Sequence, residues 1–256
     1  MAHWVRFQRD RVAGFGTIEG DAIAVHSGDM FGTATPTGAR IALAEATLLA
    51  PVSPGRFIGL WNNFYAAAAK QGHAIPATPL YFLKSPGSIV GPEATIRPPA
   101  SYTGRTIYEG ELGLVIGRRC RNLDEDEAAR AIFGLTCVND VTALDLLTED
   151  PSFPQWARAK GCDSFGPVGP AIATDLDWRT LTVSVALNGR VRQDYALSDM
   201  ILPPARIVSL ISREMTLEPG DLIACGTSLG ALPMRPGMVV EVTIPGIGTL
   251  RNTMAE

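Results

Sequence analysis

The stretch Tyr108-Glu109-Gly110-Glu111-Leu112-Gly113-Leu114-Val115-Ile116-Gly117 sets two carboxylates before an apolar run, and it predicts a buried β-strand. Side chains alternate across a strand, so Glu109 and Glu111 share one face while Tyr108 and Leu112 project from the other. Next-but-one residues lie roughly 6–7 Å apart, so in an apolar setting the two charges repel unless protons or a cation intervene. The stretch therefore predicts either a site for an oxygen-ligated divalent metal or an ordinary strand with a solvated acidic face.

A third carboxylate, Asp140, ends the apolar strand predicted over Leu135–Thr142, where an unpaired charge would be costly. Glu109, Glu111 and Asp140 together suit magnesium or manganese, with coordination positions left for substrate and water. The alternative is that Asp140 caps a helix over Ala143–Thr148.

The bulk composition points to small-molecule chemistry. The chain has 256 residues and a formal net charge of -4 without a basic tract, which argues against nucleic acid and anionic membranes as partners. Its four cysteines form no Cys-x-x-Cys pair, so neither a zinc knuckle nor a dense disulfide framework is expected. Without a signal-peptide core or a membrane-length apolar run, we expect a soluble, cytoplasmic protein.

Pro/Gly punctuation divides the chain near Pro54. Residues 1–54 predict a small N-terminal β subdomain, with a β meander over residues 4–26, a loop over Gly28–Gly38 and a weak helix over Ile41–Ala50. Residues 55–256 form the predicted catalytic domain. Many short strands with few helices favour a β-rich α+β roll or sandwich over an alternating βαβ sheet.

A lid segment is predicted over residues 62–76, after a buried strand at Arg56–Trp61. Its alanine-rich helix, Asn62–Lys70, has an asparagine able to cap it and little to bury, so it could move and cover a pocket. Elsewhere the sequence predicts a strand at Leu80–Lys84, a hairpin at Asn188-Gly189 and an amphipathic helix at Ala205–Arg213.

Five ordered motifs closely resemble those of the fumarylacetoacetate hydrolase superfamily. The resemblance spans roughly residues 55–253, and the number and order of long motifs make chance agreement very improbable. The motifs are Tyr-Glu-x-Glu-Leu at Tyr108–Leu112, Asn-Asp-Val-Thr-Ala at Asn139–Ala143, Gln-Trp-x-Arg-x-Lys-x-x-Asp-x-Phe-Gly-Pro-x-Gly-Pro at Gln155–Pro170, Leu-x-Pro-Gly-Asp-x-Ile-x-x-Gly-Thr at Leu217–Thr227, and Gly-Ile-Gly-Thr-Leu-Arg-Asn-Thr at Gly246–Thr253.

The resemblance implies a mixed β-sandwich roll, a homodimer, and a bound magnesium or manganese ion. It implies enzymes of the catabolism of aromatic or related compounds, which act on 2-oxo or 2,4-dioxo acids as carbon-carbon hydrolases, decarboxylases, isomerases or hydratases. Carried onto matching positions, Glu109, Glu111 and Asp140 are the metal ligands. Lys160 is the cation that faces the substrate oxyanion or enolate.

The same resemblance assigns the substrate-binding residues. Thr227, in Gly226-Thr227, is the hydroxyl that holds the substrate carboxylate, and Asn63 of the lid segment belongs to the same set. Without the family, Lys160 would be interpreted as a surface lysine in a polar loop.

The lid segment departs from the family pattern. Hydrolytic members resemble Gly-x-Asn-Tyr-x-x-His-x-x-Glu here, where a His–Glu dyad activates water. This chain has Ala67 and Lys70 at those two places. His73, just after the predicted lid helix, is the remaining candidate for a histidine base, and the alternative is an ordinary surface histidine.

A second departure follows Asp140, where many relatives place an arginine and a glutamine that reach the substrate. Leu144 and Leu147 stand there instead. Loss of a cation and an amide favours a substrate whose distal group is less charged and more apolar.

Three functions remain open from the sequence. The preferred hypothesis is metal-dependent hydrolysis of a carbon-carbon bond in an acylpyruvate-like acid, because this is the commonest family activity and His73 or a substrate group could serve as base. The second is an isomerase or decarboxylase that acts through a stabilised enolate and needs no water-activating dyad. The third is a non-catalytic binder of 2-oxo acids.

Overall fold

The computed structural model describes residues 1–256, which form nineteen β-strands and four α-helices. The strands are β1 His3–Arg9, β2 Val12–Glu19, β3 Ala22–Gly28, β4 Ala34–Ala42, β5 Thr47–Leu49, β6 Phe57–Trp61, β7 Leu80–Lys84, β8 Ile89–Val90, β9 Thr95–Ile96, β10 Thr106–Ile107, β11 Gly110–Ile116, β12 Ile132–Asn139, β13 Thr142–Ala143, β14 Gly166–Ala173, β15 Thr182–Leu187, β16 Arg190–Ala196, β17 Leu222–Ala224, β18 Val239–Ile244 and β19 Gly248–Met254. The helices are α1 Tyr65–Gln71, α2 Glu125–Ala129, α3 Trp156–Lys160 and α4 Pro204–Glu214.

Two large sheets build the fold. The first runs β4-β3-β2-β1-β14-β12-β11-β17-β6-β7, with β5 added to β1 and β8 added to β14, and the second runs β16-β15-β18-β19-β9. Apolar side chains from both sheets, such as Leu112 and Leu114 on β11 and Val185 and Val242 opposite, share one buried core. The predicted β-rich α+β sandwich is confirmed.

The predicted strand at Tyr108–Gly117 lies at the centre of this architecture. Strand β11 pairs antiparallel with β12 on one side and β17 on the other, and every residue from Gly110 to Ile116 is buried. A strand buried on both faces must be largely apolar. Glu111 within it is therefore the exception that requires partners.

The N-terminal strands join the same sheet through β1, which pairs with β14 at His3 opposite Ala173. They also enclose a small core of their own, where Val5, Phe7 and Ile23 pack with Ala171. The predicted boundary near Pro54 falls between β5 and β6, and the division into two parts stays a prediction.

Residues 28–50 differ from the prediction. The expected loop over Gly28–Gly38 is limited to the turn at residues 29–33, because β4 pairs with β3 beyond it. The expected helix over Ile41–Ala50 is limited to one 3-10 turn at Leu43–Glu45, and Thr47–Leu49 pairs with β1. Strand β4 is the edge of the sheet, where Pro36 is tolerated since one side needs no ladder hydrogen bond. The Thr/Pro/Gly composition that suggested a loop is compatible with this edge position.

The lid helix is α1, which ends at Gly72 with φ of 71°, a conformation that glycine adopts without steric cost. The predicted asparagine cap is wrong, because the residue at the N-cap is Phe64; the Ala66 N–H of the first turn donates instead to Asp199 Oδ2 at 3.0 Å. The amphipathic helix is confirmed as α4, and the hairpin is confirmed as β15–β16.

None of the four α-helices has the length and apolar character needed to cross a membrane; the longest, α4, has 11 residues.

Candidate metal centre

The backbone between the two glutamates is clamped against the second sheet. The Gly110 N–H donates to Gln193 Oε1 at 3.1 Å, and its carbonyl accepts from the Tyr195 hydroxyl at 2.6 Å and from Thr227 Oγ1 at 2.9 Å. A Cβ at this position would lie 2.2 Å from Val185 Cγ2. Close packing therefore requires glycine at this position. The three hydrogen bonds to Gly110 fix the backbone from which the side chains of Glu109 and Glu111 project.

Asp140 is brought to the same place by the pairing of β11 with β12. Its backbone N–H donates to the Glu109 carbonyl at 2.8 Å, and the Glu109 N–H donates to Asn139 Oδ1 at 3.0 Å. One carboxylate oxygen each from Glu109, Glu111 and Asp140 lie within 4.8 Å of one another. The three predicted ligands thus form one cluster at the ends of two neighbouring strands.

Two buried lysines accompany the cluster. Lys160 Nζ lies 2.5 Å from both Glu109 Oε2 and Asp140 Oδ2. Lys84 Nζ lies 2.5 Å from Asp140 Oδ1 and 3.2 Å from the Val141 carbonyl. Asp140 therefore bridges two ammonium groups, which excludes the alternative of a helix-capping aspartate. Glu111 accepts only the Gly226 N–H, at 2.7 Å, and pairs with no cation.

Burial and charge act in opposite directions on these groups. Burial raises the pKa of Glu109 and of Glu111, because neither gains enough from cations to offset desolvation. Burial also acts to raise the pKa of Asp140, but the two lysines outweigh it and lower that pKa. The carboxylates raise the pKa of Lys160 despite its burial, whereas Lys84, with one carboxylate partner, has a pKa lowered by burial.

The donor set fits a divalent metal. Three carboxylates and two ammonium groups leave one excess negative charge in a buried place, and Glu111 supplies oxygens that no cation neutralises. Hard oxygen donors of this kind suit magnesium or manganese. Glu109, Glu111 and Asp140 are the residues that could hold the ion.

A cavity of about 330 Å³ opens from the cluster and has Glu109, Glu111 and Lys160 in its wall. Larger clefts of about 650, 420 and 370 Å³ lie elsewhere, but none contains any of the three carboxylates. The chemistry of the lining, not the size, therefore identifies the cavity beside the cluster as the candidate site.

The other predicted substrate residues fall into two groups. Leu144, Leu147 and Thr227 line the cavity. Gly226 lies behind it and positions Glu111. Asn63 is also behind it, because its amide donates to the Leu202 and Cys225 carbonyls and accepts from the Leu202 N–H, so both its N–H groups are already used.

His73 is not in the cavity wall; its ring packs on Trp61, with centroids 4.8 Å apart. The residues of α1 that do line the cavity are Ala67 and Gln71. Gln71 can orient a water molecule but cannot accept its proton at neutral pH. The role of His73 as base stays a prediction.

Several residues of the site were not predicted from the sequence. Gln193 and Tyr195 on β16 hold Gly110, and Lys84 holds Asp140. A usable signal existed for Lys84, since the chain has only three lysines among 22 basic residues, and two of the three are buried at this cluster. Lysine is a compact point charge, whereas arginine, present at the other 19 basic positions, is a planar fork.

Comparison with known proteins gives the family. A profile of the fumarylacetoacetate (FAA) hydrolase C-terminal family matches residues 56–255, and an Rv2993c-like N-terminal profile matches residues 2–51. The chain is 34% identical to oxaloacetate tautomerase YisK of Bacillus subtilis, over 82% of this chain and 73% of that protein.

Solved structures agree. A 2-hydroxyhepta-2,4-diene-1,7-dioate isomerase from Mycobacterium marinum is 38% identical, with a TM-score of 0.91 over 100% of this chain and 98% of that one. Maleylpyruvate hydrolase from Sphingobium sp. SYK-6, solved with manganese(II) and pyruvate, is 26% identical, with a TM-score of 0.80 over 99% and 98%. The resemblance inferred from the five motifs is confirmed, and the chain belongs to the fumarylacetoacetate hydrolase family, whose members are hydrolases, isomerases and tautomerases.

Proposed function

We propose that this protein is a divalent-metal-dependent hydrolase that cleaves a carbon-carbon bond in an acylpyruvate-like 2-oxo or 2,4-dioxo acid. The observation that carries the proposal is the cluster of Glu109, Glu111 and Asp140 with Lys160, beside a cavity that Glu109, Glu111 and Lys160 line. The manganese and pyruvate in the similar maleylpyruvate hydrolase support both the ion and the class of acid.

A divalent metal, when held by the three carboxylates, supplies Lewis-acid polarisation of a 2-oxo acid. Lys160 supplies a second, fixed positive charge. Its carboxylate neighbours raise its pKa, so it stays an ammonium group and acts as an electrostatic stabiliser of a developing enolate oxygen, not as a base.

Thr227 orients the site through the backbone. Its single hydroxyl proton is donated to the Gly110 carbonyl, and its oxygen accepts from Gln193 Nε2 at 2.9 Å. The hydroxyl that the resemblance assigns to the substrate carboxylate would therefore have to exchange the Gly110 bond for a substrate bond. Hydrolysis adds water across the bond between the distal carbonyl carbon and the neighbouring carbon, and it yields a carboxylic acid and the 2-oxo acid fragment.

A second function, isomerisation or decarboxylation of a 2-oxo acid, is favoured by one observation. The lid helix presents Ala67 and Gln71 to the cavity and offers no proton-accepting pair for a water molecule. Stabilisation of an enolate by fixed positive charge needs no activated water, so the residues in place would suffice for that chemistry.

Substrate trials with purified, manganese-loaded protein separate these functions. Acylpyruvates, oxaloacetate and a 2-hydroxydienoate are followed by ultraviolet absorbance and product NMR. Cleavage to pyruvate and an acid supports the hydrolase. Ketonisation or CO2 release without cleavage contradicts the hydrolase and supports the alternative, and absence of turnover with tight oxalate binding supports a binder. Lys160→Met should abolish turnover, while Lys70→Met on the exposed side of α1 is the matched control.

We also propose a homodimer, as the family resemblance implies. Light scattering after size exclusion should then give twice the chain mass of 27.3 kDa. A particle with the mass of one chain would contradict it.

A further inference from the structure

Aromatic side chains form one wall of the candidate cavity. The rings of Phe82 and Trp156 are stacked, with centroids 5.2 Å apart and planes 13° apart, and the Trp61 ring lies 6.2 Å from that of Trp156 at 65°. All three residues line the cavity. We call Trp61, Phe82 and Trp156 the aromatic wall.

The aromatic wall starts at the charged end of the cavity. Lys160 Nζ lies 4.9 Å from the centroid of the Phe82 ring. Trp156 and Lys160 are the first and last residues of α3, four positions apart, so they share one face of the helix about one turn, or 5.4 Å, apart. A ligand whose acid group lies at Lys160 therefore extends along the aromatic wall toward Trp61.

Outside the carboxylate cluster and Lys160, the lining of the cavity has no charged side chain. Leu144, Leu147 and Leu229 are part of this lining, and no arginine is. Lys160 is the one cationic residue in the lining, and both of its close partners are carboxylates of the cluster. A second carboxylate at the distal end of a ligand would lose water there without gaining a cation.

Trp61 is 38% exposed, so part of its ring is open to solvent beside the cavity. A flat apolar group that lies along the wall would cover this exposed ring. Aromatic groups gain both from burial and from offset or edge contacts with such rings.

We propose that the aromatic wall selects 2-oxo acids that carry an aromatic or similarly flat apolar distal group, and that the cavity discriminates against dicarboxylates. This inference rests on the proposed function for the anchoring of the acid group beside Lys160. It adds the class of the distal substituent and the residues that select it.

The test is calorimetric titration of the manganese-loaded protein with pyruvate, phenylpyruvate and 2-oxoglutarate, which share the 2-oxo acid group and differ in the distal part. Phenylpyruvate should bind about tenfold more tightly than pyruvate, and 2-oxoglutarate no more tightly than pyruvate. Trp61→Leu should lower the phenylpyruvate-to-pyruvate affinity ratio to about one.

Phe153→Leu is the matched control, because Phe153 is an aromatic residue that is 66% exposed and does not line the cavity. It should leave the ratio near that of the unaltered protein. Trp156→Leu removes a second ring of the aromatic wall and should also lower the phenylpyruvate-to-pyruvate affinity ratio. Its unfolding midpoint shows whether the variant is still folded.

The outcomes separate the inference from the proposed function. Pyruvate binding with a phenylpyruvate ratio of one or less, or with 2-oxoglutarate as the tightest ligand, overturns the aromatic wall and leaves the proposed function standing. Phenylpyruvate binding without pyruvate binding supports the wall and contradicts the anchoring of the acid group. Binding of none of the three contradicts both.

Discussion

Replacement of Lys84 by methionine should strongly destabilise the metal-free protein. Lys84 is 2% exposed and its Nζ lies 2.5 Å from Asp140 Oδ1. Asp140 is itself fully buried, so water cannot stabilise its charge if the ammonium group is lost. Methionine keeps the apolar stem but removes the ammonium group, whose Nζ lies 5.7 Å from the centroid of the Phe57 ring. The buried cluster would then hold three carboxylates against Lys160 alone.

The magnitude follows from that imbalance. Breaking a buried ion pair by removal of one partner costs about 3–5 kcal/mol. For a chain of this size, 1 kcal/mol corresponds to about 2–4 °C, so the unfolding midpoint should fall by about 6–20 °C. Because the extra negative charge attracts a divalent cation, manganese should raise the midpoint of Lys84→Met by more than it raises that of the unaltered protein.

Differential scanning calorimetry with and without manganese measures both effects. Lys70→Met, which removes a lysine from an exposed position of α1, is the control and should change the stability by less than about 0.5 kcal/mol. If the midpoint of Lys84→Met is no lower than that of Lys70→Met, Asp140 does not depend on Lys84 and the charge balance described above is incorrect.

Three further expectations concern the same cluster. Gly110→Ala should lower the free energy of unfolding, measured by urea denaturation, by about 1–3 kcal/mol, because its Cβ would meet Val185 Cγ2 at 2.2 Å. The added change Val185→Ala should recover part of that loss, and no recovery would contradict the steric cause. Tyr195→Phe removes the hydroxyl that donates to the Gly110 carbonyl at 2.6 Å and should cost about 1 kcal/mol of unfolding free energy, while a neutral effect would mean that the clamp does not depend on this bond. Burial raises the pKa of Glu109 and Glu111, so protons compete with the metal as the pH falls; manganese affinity by calorimetry should weaken as the pH is lowered, with proton release on binding, and a flat profile without proton release would contradict the raised pKa values.

The local pattern of the sequence was sufficient for the central strands. Alternation and apolar runs predicted β6, β7, β12 and the hairpin of β15 with β16, since these strands carry their own hydrophobic signal. It failed over residues 28–50, where β4 and β5 exist because β3 and β1 offer them partners. Pairing between distant segments, not local propensity, decides such edge strands.

The site divides in the same way. The sequence alone identifies Glu109, Glu111 and Asp140 as candidates, because a carboxylate next to or inside an apolar strand is costly to bury without a partner. For Lys84 the scarcity of lysine is the only signal, and it does not identify Asp140 as the partner, which is 56 residues away in the chain. Gln193 and Tyr195 lie in a strand of the second sheet, and their contacts with Gly110 arise only when the two sheets pack.

The change Glu111→Gln tests the metal centre most directly. Glu111 is 1% exposed and pairs with no lysine, so its carboxylate is costly to bury unless a cation is bound. Glutamine can still accept the Gly226 N–H through its amide oxygen. Calorimetric titration should show one manganese ion per chain in the unaltered protein and an affinity weakened by more than about tenfold in Glu111→Gln, with a metal-free unfolding midpoint that is unchanged or higher. A folded Glu111→Gln protein that binds manganese as tightly as the unaltered chain would contradict the assignment of this strand as the wall of a metal site.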